Sequence, residues 1–426
     1  MPDASAKQTV IRALKSKPNL AGTASLPPLG SRQGGQLLQW LDQSGLALTF
    51  LKSADTHPAG ACLPDEWREA LEKRKTRNAA RLQDMLEEFQ RLNDAFRSQG
   101  VMVVTLKGFS LIPDFCADPI LRHQTDFDFL VRPADVNAAA EVLRLCGYST
   151  PHLSYSEESC FTTPLRHIPS RADDLYAIQH HRQVDLHVSL VESSPWFQVE
   201  FPALTSESAT PMSILGIGFN GLSLECRFLV QVLHAFRHSF RSWVRLSWLK
   251  EIARCMDFHH DDAGLWSRVI DQAGDELLTK RVFAFVLSLT HGLFESPIPP
   301  GIANWTAGGM TPSLVAWLDH FSENWAIADW PGSLSNLFLA SDFIADARLR
   351  REYLKSRLIP KRERLTIEAR TSDQPARPFA WQIQRWRYVA HRTGVHLGDL
   401  IRWPLEQWRW QRALGSAQAR LDQVQS

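Results

Sequence analysis

The stretch TDFDFLV, residues 125–131, decides how this chain is read. Asp126 and Asp128 alternate with Phe127 and Phe129, and Leu130 and Val131 extend the apolar character. Side chains on a strand point alternately to opposite faces, so the two aspartates share one face and the two phenylalanines the other. The apolar face needs a core. Two carboxylates one pleat apart repel each other, and at the rim of a buried strand they also carry a desolvation cost that needs compensation. A hard divalent cation such as Mg²⁺ is the natural partner, because it takes oxygen ligands and bridges phosphates. The plainer alternative is the solvated face of an edge strand.

Upstream, VMVVTL (101–106) is a short β-branched run that reads as a buried strand, ended by Lys107 and Gly108. A glycine there lets backbone N–H groups approach a phosphate closely, and the lysine adds a point charge. Further upstream, Asp65 to Gln99 carries Leu71, Leu82, Met85, Leu86, Phe89, Leu92 and Phe96, mostly at spacings near three and four. This predicts one long helix with Asp65 as N-cap and Gly100 as its stop. Downstream, Ala134 to Cys146 reads as a helix stopped by Gly147, and QVDLHVSL (183–190) as a third strand. On that strand Asp185 and His187 share a face. If it neighbours the first acidic strand, Asp126, Asp128 and Asp185 converge. Such a set suits phosphoryl or nucleotidyl transfer assisted by metal ions.

These segments predict an α+β fold: a small mixed β-sheet core with a long N-terminal helix and a helical C-terminal half. From Ser223 to about Lys355 the pattern is nearly all helical, with Leu224–His238, Trp243–Met256, Leu265–Ala273 and Glu276–Leu289 amphipathic. The expected organisation is a flexible leader (1–35), the α/β core with its preceding helices (36–205), a helical domain (206–360) and a basic Trp/Arg-rich tail (361–426). Within 1–35 only Val10 to Leu14 suggests a short helix.

Composition excludes several classes. The chain has 426 residues, 47 Lys+Arg and 46 Asp+Glu, so the net charge of +1 gives no support to a protein coated with nucleic acid. Six scattered cysteines without a CxxC pair argue against a zinc knuckle or a disulfide scaffold and suggest a reducing, cytoplasmic setting. The most apolar run, Val282 to Phe294, holds His291 and falls short of bilayer thickness. Charge is uneven, however: 16 Lys+Arg against 6 Asp+Glu between Arg348 and Arg412. That tail, with Trp381, Trp386, Trp403, Trp408 and Trp410, reads either as a contact for a membrane surface or RNA, or as a helix packed on the body through its tryptophans. The packing reading is preferred.

The order LKGFSL (106–111), Arg122, TDFDFLV (125–131), CGYS (146–149) and VDLHVSL (184–190) resembles the uncharacterised nucleotidyltransferase family of the polymerase β-like superfamily. Asn78, Gly100, LVQVLHAFRHSFRSWVRLSWLKEI (229–252) and YLKSRLIP (353–360) extend the resemblance over roughly residues 36–360. It implies an enzyme that moves an NMP from an NTP to a hydroxyl or phosphate of a small-molecule, sugar or peptide acceptor, with no nucleic-acid template. Asp126 and Asp128 would hold Mg²⁺, or Mn²⁺ in its place, with Asp185 as third ligand or base. Lys107, Gly108 and Ser110 would face the triphosphate, and Arg122 would clamp a phosphate or carboxylate. The chain departs from the pattern in having Lys-Gly-Phe-Ser where Gly-Ser is usual, and Glu251 where Asp is frequent. His187 either orients Asp185, contacts substrate or packs. His234 and His238, four apart in HAFRH, lack an HExxH pattern and are expected to line the helical side of a cleft or to pack. A non-catalytic nucleotide-binding or scaffold role is the alternative reading.

Overall fold

A computed structural model describes residues 4–17, 22–56, 63–155, 158–163, 175–178, 182–189, 192–193, 198–199, 209–239, 245–328, 333–358 and 378–425. Trp243 and residues 361–377 of the expected basic tail lie outside these residues. Among the described residues a six-stranded mixed sheet is formed by β1 (Val104–Thr105), β2 (Asp126–Leu130), β3 (Glu158–Thr162), β4 (Gln183–His187), β7 (Ala209–Ile214) and β8 (Ile217–Leu222). The short pair β5 (Glu192–Ser193) and β6 (Gln198–Val199) stands apart from it. The order is β3-β4-β2-β1-β8-β7. β2 runs parallel to β4 and antiparallel to β1, and β1 runs parallel to β8.

One face of the sheet is covered by α4 (Asp65–Ser98) and α5 (Val136–Leu145). There Phe89 and Phe96 of α4 pack with Phe127, Phe129, Phe161 and Leu186. The rings of Phe89 and Phe129 stack at 6.1 Å between centroids, 5° from parallel. Pro64, not Asp65, occupies the N-cap of α4; Asp65 and Glu66 sit in its first turn, where acidic side chains oppose the positive end of the helix dipole. Gly100, at φ +66°, turns the chain out of the helix. On the opposite face, α6 (Leu224–Ser239) covers only the β1–β8 side, where Cys226 and Val230 meet Val104, Leu106, Leu130 and Leu222. The β2–β4 side of that face opens onto a cleft.

Three elements differ from the sequence reading. The strand at 101–106 is reduced to two residues in β1. The hairpin β7–β8, which the sequence reading placed with the helical domain, completes the sheet through Thr105↔Gly221. Its turn is made by Leu215 and Gly216, both at positive φ. β3 was not anticipated, because it contributes only one large apolar residue, Phe161, to the core. Within the expected leader, Ala4–Ala13 is helical, and Val10, Ile11 and Ala13 are buried in the core of the helical half, alongside Trp40, Phe50, Phe228, Leu249 and Phe283. Burial against this distant helical surface, invisible in the local composition, orders the segment.

Leu277–Phe294 is longer than its most apolar run and, by length and composition alone, could cross a membrane; 61% of it is buried inside the protein. The C-terminal helix Pro378–Gln425 packs on the body through Trp403 and Trp410, whose rings lie 5.7 and 4.6 Å from Phe338. Glu406 adds a 3.0 Å contact to His320, and Arg420 pairs with Asp319. Trp386, Ile401 and Trp408 on the same helix remain exposed.

Candidate active site

The open part of the sheet forms the floor of a cavity of about 500 Å³, whose far wall is α6 and α7 (Leu246–Phe258). Parallel pairing sets Asp128 directly beside Asp185, and Asp126 beside Gln183. Antiparallel pairing sets Cys160 beside Asp185, and Glu158 beside His187. Because alternation is conserved across a paired sheet, all of these side chains share the cleft face, while Phe127, Phe129, Val184, Leu186 and Phe161 share the core face. The three predicted aspartates are thus brought together, and Glu158 joins them as a fourth acid.

The charges are unevenly compensated. Lys107 Nζ lies 2.8 Å from Asp128 Oδ1, and His187 Nε2 lies 3.2 Å from the same oxygen. Burial alone would push the Asp128 carboxyl up, but Lys107 and His187 outweigh it and hold it well below the usual range. The reverse balance holds for Lys107: burial would lower its pKa, and Asp128 and Asp126 raise it instead. Asp126 has no ion pair among the described residues, and burial and the Asp128 charge push it up against Lys107, Arg122 and Arg245. Asp185 accepts two 2.9 Å hydrogen bonds from Gln183 Nε2. Burial, then Asp128, Glu158 and Asp126, raise its pKa to about 7. His187 bridges the acids, its Nδ1 lying 3.9 Å from Glu158 Oε2.

Other predicted residues take more specific places. Gly108 is at φ +67°, and a Cβ there would lie 2.5 Å from Gln124 Nε2, so both conformation and space demand glycine. Gln124 in turn donates to the Asp126 carbonyl at 2.9 Å. Ser110 is fully buried: its hydroxyl donates to the Lys107 carbonyl at 3.3 Å, and its own carbonyl accepts from Arg227. It braces the turn and does not line the cleft. Arg122 lines the cleft while its Nε donates to Glu251 at 2.8 Å, and Gln231 holds the other Glu251 oxygen at 2.6 Å. His234 and His238 both line the cleft, with ring centroids 4.4 and 4.5 Å from Trp248. Burial, with Lys107 and His238 nearby, keeps the His234 imidazole well below its usual pKa.

Sequence reasoning missed Glu158, His123 and Gln124, and it placed Arg245 and Trp248 in the resembling segment 229–252 without assigning them to the site; all five line the cavity. Of the three missed, only Glu158 had a signal, the period-two alternation of Glu158 and Cys160 against Ser159 and Phe161. His123 accepts at Nδ1 from Arg245 (3.3 Å) and reaches the Leu175 carbonyl through Nε2 (2.5 Å), which assigns the proton to Nε2.

The donor chemistry fits a hard divalent ion: carboxylate oxygens on one face, with Asp126 and Asp185 lacking a cationic partner among the described residues. As arranged, no three His, Cys, Asp or Glu side chains among the described residues are gathered closely enough to hold a metal. Lys107 occupies the Asp128 oxygen instead.

The sequence profile of the uncharacterised nucleotidyltransferase family matches residues 31–295, and the chain belongs to that family. The matched span contains the whole sheet, the three aspartates and both helices of the cleft wall. No curated protein matches the chain, and no solved structure matches it.

Proposed function

We propose that this protein is an enzyme that transfers a nucleotidyl group from an NTP to a hydroxyl or phosphate of a small-molecule, sugar or peptide acceptor, using Mg²⁺ or Mn²⁺. The observation that carries this reading is the set of three carboxylates on one sheet face, one neutralised by Lys107 and two left with raised pKa. Nothing in packing requires them there, and two of them are electrostatically unfavourable as they stand.

Asp126 and Asp128 would hold the divalent ion. When bound, it supplies charge neutralisation for the triphosphate and acidifies the acceptor hydroxyl. Lys107, on a turn held open by Gly108 and braced by Ser110, presents its ammonium to triphosphate oxygens. Arg122, fixed through Nε by Glu251, keeps its remaining N–H groups for a phosphate. Asp185 receives the acceptor proton as the acceptor oxygen bonds to the α-phosphorus. The bond from the α-phosphorus to the bridging oxygen breaks, and pyrophosphate leaves. His187, touching Asp128 and approaching Glu158, positions the acidic face. His234, His238 and Trp248 form its aromatic wall.

The test is a thermal-shift panel with ATP, GTP, CTP and UTP, each with and without Mg²⁺, on the native protein and on Asp126→Ala/Asp128→Ala. A ligand that binds only the folded state raises the melting temperature by mass action. The expected result is a metal-dependent rise for at least one NTP that the double variant loses. A well-folded protein that shifts with none of them points to a scaffold role.

A further inference from the structure

Beside the carboxylate cleft lies a second cavity of about 630 Å³, and Arg122, His123, Arg245 and Trp248 line both. The two chambers differ in charge. The first sets Asp42, Asp126, Asp128, Glu158 and Asp185 against Lys107, Arg122, Arg237 and Arg245. The second sets Lys15, Lys52, Arg122, Arg245, Lys250 and Arg254 against only Asp118, Glu251 and Asp257.

The acids of the second chamber are largely committed. Glu251 holds Arg122 and Gln231. Asp257 accepts from Ser16 and Ser296, and Asp118 caps the Ile120 amide. Lys52, Arg245, Lys250 and Arg254 form no ion pair with a carboxylate among the described residues. Arg245 donates to the ring and carbonyl of His123 (3.3 and 3.2 Å). The Lys250 ammonium sits 5.3 Å above the Phe294 ring. Arg254 lies over the Phe258 ring and reaches the Pro113 carbonyl at 3.4 Å. Near Arg245, Arg81 is 1% exposed and lines neither chamber, and its Nε and Nη2 have no hydrogen-bond partner among the described residues. Burial, then Arg182 and Arg245, pull its pKa down. Cations that face a cavity without a carboxylate to pair with are poorly compensated, and an anion delivered to Arg245, Lys250 and Arg254 would supply the missing charge.

Resting on the nucleotidyl-transfer reading, we propose that the second chamber is the acceptor site and that the acceptor carries an anionic group, a phosphate or a carboxylate, seated on Arg245, Lys250 and Arg254. Its reacting oxygen reaches along the shared wall of Arg122 and Trp248 toward Asp185, and the bonds made and broken are those given above. Leu121 and Phe258 offer apolar surface for the rest of the molecule. The volume suits a small organic molecule rather than a polymer.

Isothermal titration of the full chain with glycerol 3-phosphate and, separately, glycerate tests this and separates the phosphate from the carboxylate. One of the two is expected to bind the native protein and Asp126→Asn/Asp128→Asn within threefold of each other. Binding should weaken at least tenfold in Lys250→Met/Arg254→Gln, while that variant keeps the native melting rise with NTP and Mg²⁺. If the double variant unfolds, Arg254→Gln alone should still weaken binding severalfold, and Arg254→Lys should largely restore it. No binding of either probe, or binding indifferent to Lys250 and Arg254, overturns the acceptor site while an intact NTP response leaves the nucleotidyl reading standing. Anion binding that depends on Lys250 and Arg254 in a protein that answers to no NTP overturns the nucleotidyl reading, and the acceptor role with it.

Discussion

The two faces of β2 are built from the same five residues and do opposite things. On one face Phe127 and Phe129 pack against Phe89, with the ring of Phe96 edge-on to Phe129 at 5.5 Å. On the other, Asp126 and Asp128 stand beside Asp185, and two of the three carboxyls are pushed above their ordinary pKa. The aromatic face stabilises the fold. The acidic face works against it, and Lys107 and His187 at Asp128, Arg122 and Arg245 near Asp126, and Gln183 at Asp185 relieve part of the repulsion. A strand that keeps an unfavourable face next to a favourable one marks where function overrides stability.

The sharpest way to break this contrast is to remove the acidic pair. Asp126→Ala/Asp128→Ala is expected to lower pyrophosphate release with the cognate acceptor by about 10³-fold or more, roughly 4 kcal/mol of transition-state stabilisation. Its circular dichroism should stay native. Retained turnover would mean that the acidic face is merely solvated.

The mirror experiment is Phe129→Ala. Deleting a buried phenyl ring typically removes about 3–5 kcal/mol of stability. The midpoint of urea unfolding should fall accordingly, while the folded fraction still responds to NTP. A small loss would show that the aromatic face is less tightly packed than its ring distances imply.

Gly108→Ala probes the turn that joins the faces. The added methyl meets Gln124 at 2.5 Å in a left-handed backbone conformation, so a loss of about 1–3 kcal/mol is expected. NTP affinity should weaken as well, because Gln124 is displaced from the Asp126 carbonyl. Unchanged stability and affinity together would remove the turn from the site.

The last effect has the opposite sign. The folded-state pKa of Asp185, about 7, lies above the unfolded value. The folded protein therefore binds this proton more tightly than the unfolded chain. Its stabilising contribution is present below about pH 4 and is lost as pH rises through 7. In metal-free buffer Asp185→Asn should raise the melting temperature at pH 8, with about 4 kcal/mol as the upper bound set by about three pKa units, and change it little at pH 4, while impairing transfer. A variant less stable than native at pH 8 would show that Asp185 is a structural hydrogen-bond acceptor first.

Much of the acidic face was legible because strand periodicity is local. Asp126, Asp128, Asp185 and His187 could each be assigned a face from their neighbours alone. That Asp128 and Asp185 lie side by side depends on parallel pairing of β2 and β4, and the 52 residues between those strands do not encode that register locally. The KG turn was visible, yet its lysine rests on Asp128 in this structure. Ser110 turned inward because the turn closes on its own carbonyl. Arg122 could not reveal Glu251, which is 129 positions away. β3 and the β7–β8 hairpin were missed because each strand carries few large apolar side chains, and their pairing comes from the sheet edges they join.

By itself the sequence determined the α+β class, the long helix from Asp65, the two-faced character of β2 and β4, and three of the four acids of the set, Asp126, Asp128 and Asp185. Periodicity, glycine stops and strand alternation act over a few residues and can be read from order alone. Only the tertiary structure decided which acids become neighbours, that Glu158 joins them, which cations they hold, and that a second, cation-rich chamber shares a wall with the first. Those are contacts between residues far apart in the chain, created when buried apolar faces choose their partners, and no local pattern carries that choice.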